Sequence, residues 1–522
     1  MNVGSFLDIA EARFPDKLAV ISEERRFTYR QVKERVQRLM TGLAKLGVKK
    51  GDRVATLMWN SPEMMEVNLA AIRLGAIFTP LNYRLKGPEL SFVVENAHPT
   101  ILVTDDTCQD MAGQVVADVL GRERMFTTSS RSNSHFRPYE TLVTKNEHYK
   151  GSVASSGGDA CQLLYTSGTT ARPKGVILSH ENVIWNAFNM IHARRDRPDD
   201  ISLVVGPLFH AAALNSHYIP RLALGATMII MTKFDPGLMM DLVQSERATV
   251  VPGNPTLFIM LLEHCASREF DTSSVTTLTS GADKLPDHIK NALMDLFPRA
   301  EGVFDIYGLT ECGPCVSCLD ARDSLRKTAC VGPPLPFVQV RLLNNEGHQV
   351  GVGEPGEVVV RGANVMKGYY GLPEETSKVI RDGWFYSGDL ARADEEGFLY
   401  IVDRKKDMIV TGGENVSARE VEEVLFAHRA VLKAAIFGLP DPKWGEKVVA
   451  AVILRKGHEA TPEQLQAFLK ERIAGYKVPK EVFFRDQFPE TGAGKVQKNI
   501  LKKAYTPIEE SEPEHLPING DE

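Results

Sequence analysis

No apolar run in this sequence reaches the ~18 residues that a membrane-spanning helix needs. The best candidate, Leu222 to Met231, is short and is broken by Gly225. The first residues, MNVGSFLDIAEARF, lack the basic stretch and apolar stretch of a secretory leader, so none is expected. Cysteine is scarce. Seven in 522 residues, an odd number, make no disulfide framework and point to a reducing cytoplasm. Positive charge is not in excess either: 61 basic against 67 acidic residues leave a net charge of -6. That argues against a protein whose main task is to grip nucleic-acid phosphates, though a basic pocket for one nucleotide stays allowed. What is present is ordinary for a globular protein. Hydrophobic residues make up 43% and charged residues 25%, enough to bury large cores, and the length suggests two or more domains.

Helical and extended patterns alternate along the first third. Val32, Val36, Leu39, Leu43 and Leu46 step by three and four, which predicts a helix that stops at Gly47. RVATLMW (53–59) and TILVTDD (100–106) read as buried strands. LVVG, TMIIM, ATVVPG and TTLTSG continue the alternation, which predicts α/β architecture with covered parallel sheets. Ligands of such sheets gather at the carboxyl ends of the strands. From about Val338, VQVRLL and GEVVVRG around an NNEG turn predict a β-rich subdomain. The last ~115 residues are long enough for a small α+β domain. The tail after Thr506, with six acidic residues and three prolines, is expected not to fold.

The strongest chemical signal is Tyr165-Thr-Ser-Gly-Thr-Thr-Ala-Arg-Pro-Lys174-Gly175. Hydroxyls, flexible glycines and a lysine in one loop can wrap phosphate oxygens and neutralise their charge. It is not a Walker A loop, because Gly175 follows Lys174, and GAGK at 492–495 fails the same test because Val496 follows. Further stretches stand out: Asp305-Ile-Tyr-Gly-Leu-Thr-Glu311, Tyr386-Ser-Gly-Asp389, Asp403-Arg-Lys-Lys-Asp407 followed by Gly412-Gly413, and Pro489-Glu-Thr-Gly-Ala-Gly-Lys495.

These five motifs, in this order, resemble the signatures of the adenylate-forming superfamily of acyl-CoA synthetases, luciferases and peptide-synthetase adenylation domains. The resemblance implies a large N-terminal domain (1–403) of stacked α/β subdomains with a β-rich subdomain. A hinge (404–407), a smaller mobile C-terminal domain (408–505) and the acidic tail (506–522) would follow. It also implies a reaction. A carboxylic acid attacks the α-phosphate of ATP with Mg2+, giving acyl-AMP and pyrophosphate, and coenzyme A then takes the acyl group. Two anions must be brought together, so positive charge, N–H donors and a metal are needed at the phosphate.

On that resemblance Thr166, Ser167, Gly168, Thr169, Thr170 and Lys174 would hold the β- and γ-phosphates. Thr310 would contact the α-phosphate, and Glu311 would hold Mg2+ directly or through water. Tyr307 would stack on adenine, with Asp305 and Gly281-Ala282-Asp283 at its edge. Asp389 would accept from both ribose hydroxyls, and Arg404 would contact ribose or phosphate. Lys495 would be the catalytic lysine of the first step. His210 would line the acyl site, where Gly308 and Gly332 would let the acyl group approach the backbone. Phe337 stands where many relatives carry glycine. Lys406 would be the pivot, and Gly412 and Gly413 would line the path of coenzyme A.

The leading reading is therefore an AMP-forming acid–CoA ligase for a medium-chain fatty or aromatic acid. Its partners would be small molecules, without nucleic acid or an integral membrane segment, and a homodimer is left open. A second reading passes acyl-AMP to a separate carrier protein. The chain ends soon after the lysine motif, which favours free coenzyme A. A third reading takes Cys312, Cys315, Cys318 and Cys330 as ligands of a metal or cluster. A fourth is an ATP sensor without turnover, against which Lys495, Glu311 and Asp389 argue.

Overall fold

The computed structural model describes the chain except residues 24, 118, 132–134, 152, 167–171, 282, 284, 413, 491–495 and 506–522. It divides into two compact units, 1–401 and 402–522. No helix of the described residues is long and apolar enough to cross a membrane.

Two eight-stranded sheets dominate the first unit. One contains the strands Cys315–Leu319, Val303–Gly308, Thr277–Gly281, Val250–Pro252, Ile201–Val204, Thr227–Ile230, Leu18–Ser22 and Arg25–Thr28, in that spatial order. Its interior pairs are parallel and its two edge pairs antiparallel. Leu203, Val250, Val251, Leu278 and Val303 are buried, as strands covered on both faces must be. The second sheet runs Gly368–Tyr369, Lys174–Ser179, Ala160–Thr166, Ile77–Pro80, Arg53–Leu57, Ile101–Thr104, Met125–Thr127 and Arg137–Pro138. The strands read at 53–59 and 100–106 thus lie side by side, parallel, with Val54 opposite Ile101.

Between them pack helices whose ends are written in the sequence. The helix predicted from Val32 spans Tyr29–Lys45, with a capping box between Thr28 and Gln31. Gly47, just beyond it, has φ +82°, a conformation that costs glycine little. Its apolar stripe of Val32, Val36, Leu39 and Leu43 is buried. The β-rich part is antiparallel: Val338–Leu343, Gly356–Gly362 and Trp384–Ala393 pair in sequence, with Val340 opposite Val360.

The second unit has its own core of Ile409, Val421, Leu425, Ile436, Val448, Ala450, Leu465 and Leu469. The long hairpin Val431–Asp441 and Gly445–Leu454 is flanked by Ile409–Thr411 on one side and by the parallel strand Glu481–Phe484 on the same central strand. Helices Ala418–Phe426, Pro462–Lys470 and Lys498–Tyr505 complete an α+β unit.

Candidate active site

The phosphate-loop motif lies at a hairpin. Strand Ala160–Thr166 returns as Lys174–Ser179, and the pairing puts Thr166 opposite Lys174. Ser167, Gly168, Thr169 and Thr170 lie outside the described residues. Lys174 does not point into solvent. Its Nζ donates to Glu375 Oε2 at 2.5 Å and sits 5.2 Å from the centre of the Tyr369 ring. Tyr369 in turn donates its hydroxyl to Glu311 Oε1 at 2.9 Å. Burial and the Glu311 charge push the Tyr369 hydroxyl pKa well up, so it stays a donor. Lys174 and Lys378, both hydrogen-bonded to Glu375, hold its carboxyl down at about 2.

The segment that brings these groups together is sewn on by backbone bonds. Met366 N–H donates to Glu311 O at 2.8 Å, Lys367 N–H to Ile177 O at 3.0 Å and Tyr370 N–H to Gly175 O at 2.7 Å. The two-residue strand Gly368–Tyr369 thereby joins the edge of the Lys174–Ser179 strand.

The motifs read for the nucleotide meet at the other sheet. Asp305 and Tyr307 lie on strand Val303–Gly308, beside strand Thr277–Gly281, with Gly281 opposite Ile306. Asp305 is buried. Tyr307 donates its hydroxyl to Asp389 Oδ2 at 2.7 Å, linking residues 82 apart in sequence. Asp389 is 3% exposed, and its backbone N–H donates to Ser387 Oγ at 3.0 Å. Burial, and next the Asp389 charge, push the Tyr307 hydroxyl pKa well up. Asp283 lies just past the Thr277–Gly281 strand, and Ala282 lies outside the described residues. Thr310 and Glu311, both half-buried, open a 3-10 turn directly after the strand of Asp305 and Tyr307. Asn364 Nδ2 ties this turn down by donating to Cys312 O at 2.7 Å and Cys315 O at 2.8 Å.

His210 follows Phe209, their ring centres 4.4 Å apart, at the head of a π-helical stretch Ala212–Tyr218. Phe209 meets Tyr83 edge-on at 4.9 Å, and Tyr83 stacks on Trp59 at 4.5 Å. The two glycines assigned to the acyl site are crowded by backbone. A Cβ on Gly308 would meet Pro314 O at 1.8 Å, and one on Gly332, at φ +81°, would meet Cys318 at 2.2 Å. Phe337, 54% exposed, packs on Trp185 at 5.0 Å.

In the second unit Arg404 follows Asp403, whose buried carboxylate accepts from Ser417 Oγ at 3.0 Å and Arg419 N–H at 3.3 Å. Lys406 lies in the exposed turn after it. Gly412, φ +60°, donates its N–H to Trp444 O at 2.8 Å. Gly413 and Lys495 lie outside the described residues.

The cysteines do not form a ligand set. Cys312, Cys315, Cys318 and Cys330 are buried, and Cys315 shares a 3.0 Å bond with Ser216 Oγ. Cys315 and Cys318 lie on one strand, Cys315–Leu319, whose register shifts between them. Among the described residues no three His, Cys, Asp or Glu side chains converge to hold a metal. Burial pushes the thiol pKa values up, to about 11 for Cys315 and for Cys330. Cys265 is half-buried and lies elsewhere, at the end of helix Pro255–Cys265.

Residues 7–370 match the family profile of the AMP-binding enzymes, and residues 420–495 match that of the AMP-binding enzyme C-terminal domain. The chain belongs to the AMP-binding enzyme family. Among the curated members of this family, a feruloyl-CoA synthase of Amycolatopsis sp is 40% identical over 92% of this chain and 94% of its own. An indoleacetate–CoA ligase of Aromatoleum aromaticum is 34% identical over 96% and 98%. Among solved structures, ATP-bound MatB from Rhodopseudomonas palustris is 30% identical with a TM-score of 0.87, covering 97% of this chain and 100% of that one. The AMP-binding enzyme described here is accordingly an acid–thiol ligase of the acyl-CoA synthetase type, using ATP, Mg2+ and coenzyme A.

Sequence reasoning missed Tyr369 and Glu375. Gly-Tyr-Tyr followed by Pro-Glu-Glu-Thr marks a turn and a helix start at 373, but nothing local points either side chain at Lys174.

Proposed function

We propose that this acyl-CoA synthetase activates an aromatic carboxylic acid, with coenzyme A as the acceptor. The observation that carries the reading is the 40% identity to a feruloyl-CoA synthase along nearly the full length of both chains. The aromatic wall of Trp59, Tyr83, Phe209 and His210 supports it, since aryl rings gain from edge and stacked contacts. A medium-chain fatty acid is the second reading, favoured by the 33% identity to a long-chain-fatty-acid–CoA ligase of Bacillus subtilis.

In this reading the Tyr307 ring meets adenine, and Asp389, steadied by the Tyr307 hydroxyl, accepts from the ribose. Asp305 and Gly281, Ala282 and Asp283 border the base. Thr166 to Thr170 and Lys174 take the outer phosphates, and Thr310 takes the α-phosphate. Glu311, a hard oxygen donor oriented by Tyr369, fits Mg2+ held directly or through water, and the ion would supply charge neutralisation at the phosphates. Lys495 neutralises the charge that builds as the carboxylate attacks the α-phosphate. Gly308, Gly332 and His210 border the acyl group. Residues 404–407, with Lys406 as pivot and Arg404 beside it, serve as the hinge between residues 1–403 and 408–505. Gly412 and Gly413 border the path of the thiol. The seven unpaired thiols suit a reducing cytoplasm. Light scattering on the purified enzyme reads whether it works as a homodimer.

The test is a pyrophosphate-release screen with hydroxycinnamic, indolic, benzoic and straight-chain acids, each with and without coenzyme A. The highest kcat/KM is expected with an aryl acid. A preference for C6–C12 alkyl acids would replace this reading with the second. No release or labelled-pyrophosphate exchange with any acid would end both.

A further inference from the structure

Glu375 sits where a phosphate contact is expected. It accepts from Lys174 Nζ at 2.5 Å and from Lys378 Nζ at 2.6 Å, so one carboxylate bridges two ammonium groups. Lys174 is only 15% exposed in this arrangement and Glu375 31%. The pair is held on both sides. Lys174 is fixed by strand pairing to Thr166 and lies against the Tyr369 ring. Glu375 belongs to helix Pro373–Val379, joined to the same edge where Thr376 Oγ1 accepts from Tyr369 N–H at 2.9 Å.

A carboxylate and a phosphate oxygen make the same charge-assisted bond to an ammonium, and a half-buried ammonium has few further directions free. We propose that Glu375 is a positioning residue that acts as an internal stand-in for the polyphosphate of ATP. It holds Lys174 in place while the site is empty, and it is displaced by the β- and γ-phosphates when ATP binds and returns as pyrophosphate leaves. This rests on the reading of Lys174 as a phosphate contact. The competition has a cost in ATP affinity and a return in pyrophosphate release. With both lysines holding its carboxyl at about 2, Glu375 stays charged throughout the working pH range.

The test compares Glu375→Gln, nearly the same shape without the charge, with Glu375→Asp in the full-length enzyme. Calorimetric dissociation constants for MgATP and magnesium pyrophosphate read phosphate binding without turnover. With its competitor for Lys174 uncharged, both constants are expected to fall about threefold in Glu375→Gln. KM for ATP should follow them more than kcat does, and Glu375→Asp should restore the wild-type constants. In a Lys174→Ala background Glu375→Gln should change nothing, since the effect travels through that lysine. Unchanged or weaker ATP binding in Glu375→Gln, or the same gain without Lys174, would overturn the proposal. A melting temperature that drops with no change in either constant would make Glu375 a structural residue only. Wild-type enzyme that binds MgATP yet never exchanges pyrophosphate would overturn the functional reading and leave this one standing.

Discussion

At the scale of single residues, the 2.7 Å bond from Tyr307 to Asp389 joins the motif proposed for the base to the motif proposed for the ribose. A charged acceptor of this kind is worth about 1.5–3 kcal/mol per bond. Asp389→Ala should therefore lower kcat/KM for ATP on the order of 10- to 100-fold, with KM for the acid nearly unchanged. Steady-state pyrophosphate release under varied ATP, then varied acid, checks it. Tyr307 and Asp389 could each be singled out from their motifs, because a Tyr-Gly-Leu-Thr-Glu run and a Ser-Gly-Asp run are dense in chemistry, and the structure brings the two together. Glu375 could not. It is 201 residues from Lys174, and a glutamate after proline at a helix start is ordinary surface composition.

At the scale of elements, the sequence was most legible where burial is two-sided. The strands at 201–204, 227–230 and 250–252 are short apolar runs ending in Gly, Pro or polar residues, which is what a covered parallel sheet requires. The strand Gly368–Tyr369 has no such signature, since two residues carry no period, and only its pairing defines it. Two further contacts give predictions. Arg221, on helix Ile219–Leu224, is fully buried and holds Asp200 at 2.6 Å and Asp196 at 2.9 Å. Arg221→Met leaves the Asp200 carboxylate without the cation bonded to it, while Asp196 keeps Arg194 at 2.7 Å, and should cost about 3 kcal/mol in urea unfolding. His180, first in helix His180–Arg194, is buried and accepts from Val3 N–H at Nδ1, 3.2 Å away. Burial lowers its pKa from 6.5 to about 4. As pH falls below 6.5 the unfolded chain takes up a proton that the folded chain resists. Stability is full above that pH and declines toward pH 4, by about 3 kcal/mol for this group. His180→Asn should flatten that part of the stability–pH curve.

At the scale of the whole molecule, two units with separate cores carry two groups of motifs. The motifs proposed for phosphate, adenine and ribose lie in the sequence of the first, and the proposed lysine motif in that of the second. The proposed division of labour between half-reactions rests on that placement. Lys495→Ala should abolish pyrophosphate release from ATP and acid while largely sparing thioester formation from a supplied acyl-AMP. Quenched-flow assays of each step check it, and equal loss of both would remove Lys495 from its assigned role. The arrangement of thiols has a practical consequence. Six of the seven cysteines are buried, and Cys265 alone is half-open to solvent, on a helix that carries none of the assigned site residues. Brief treatment of the native enzyme with a maleimide dye should tag that one position, giving a fluorescent reporter without any engineered residue.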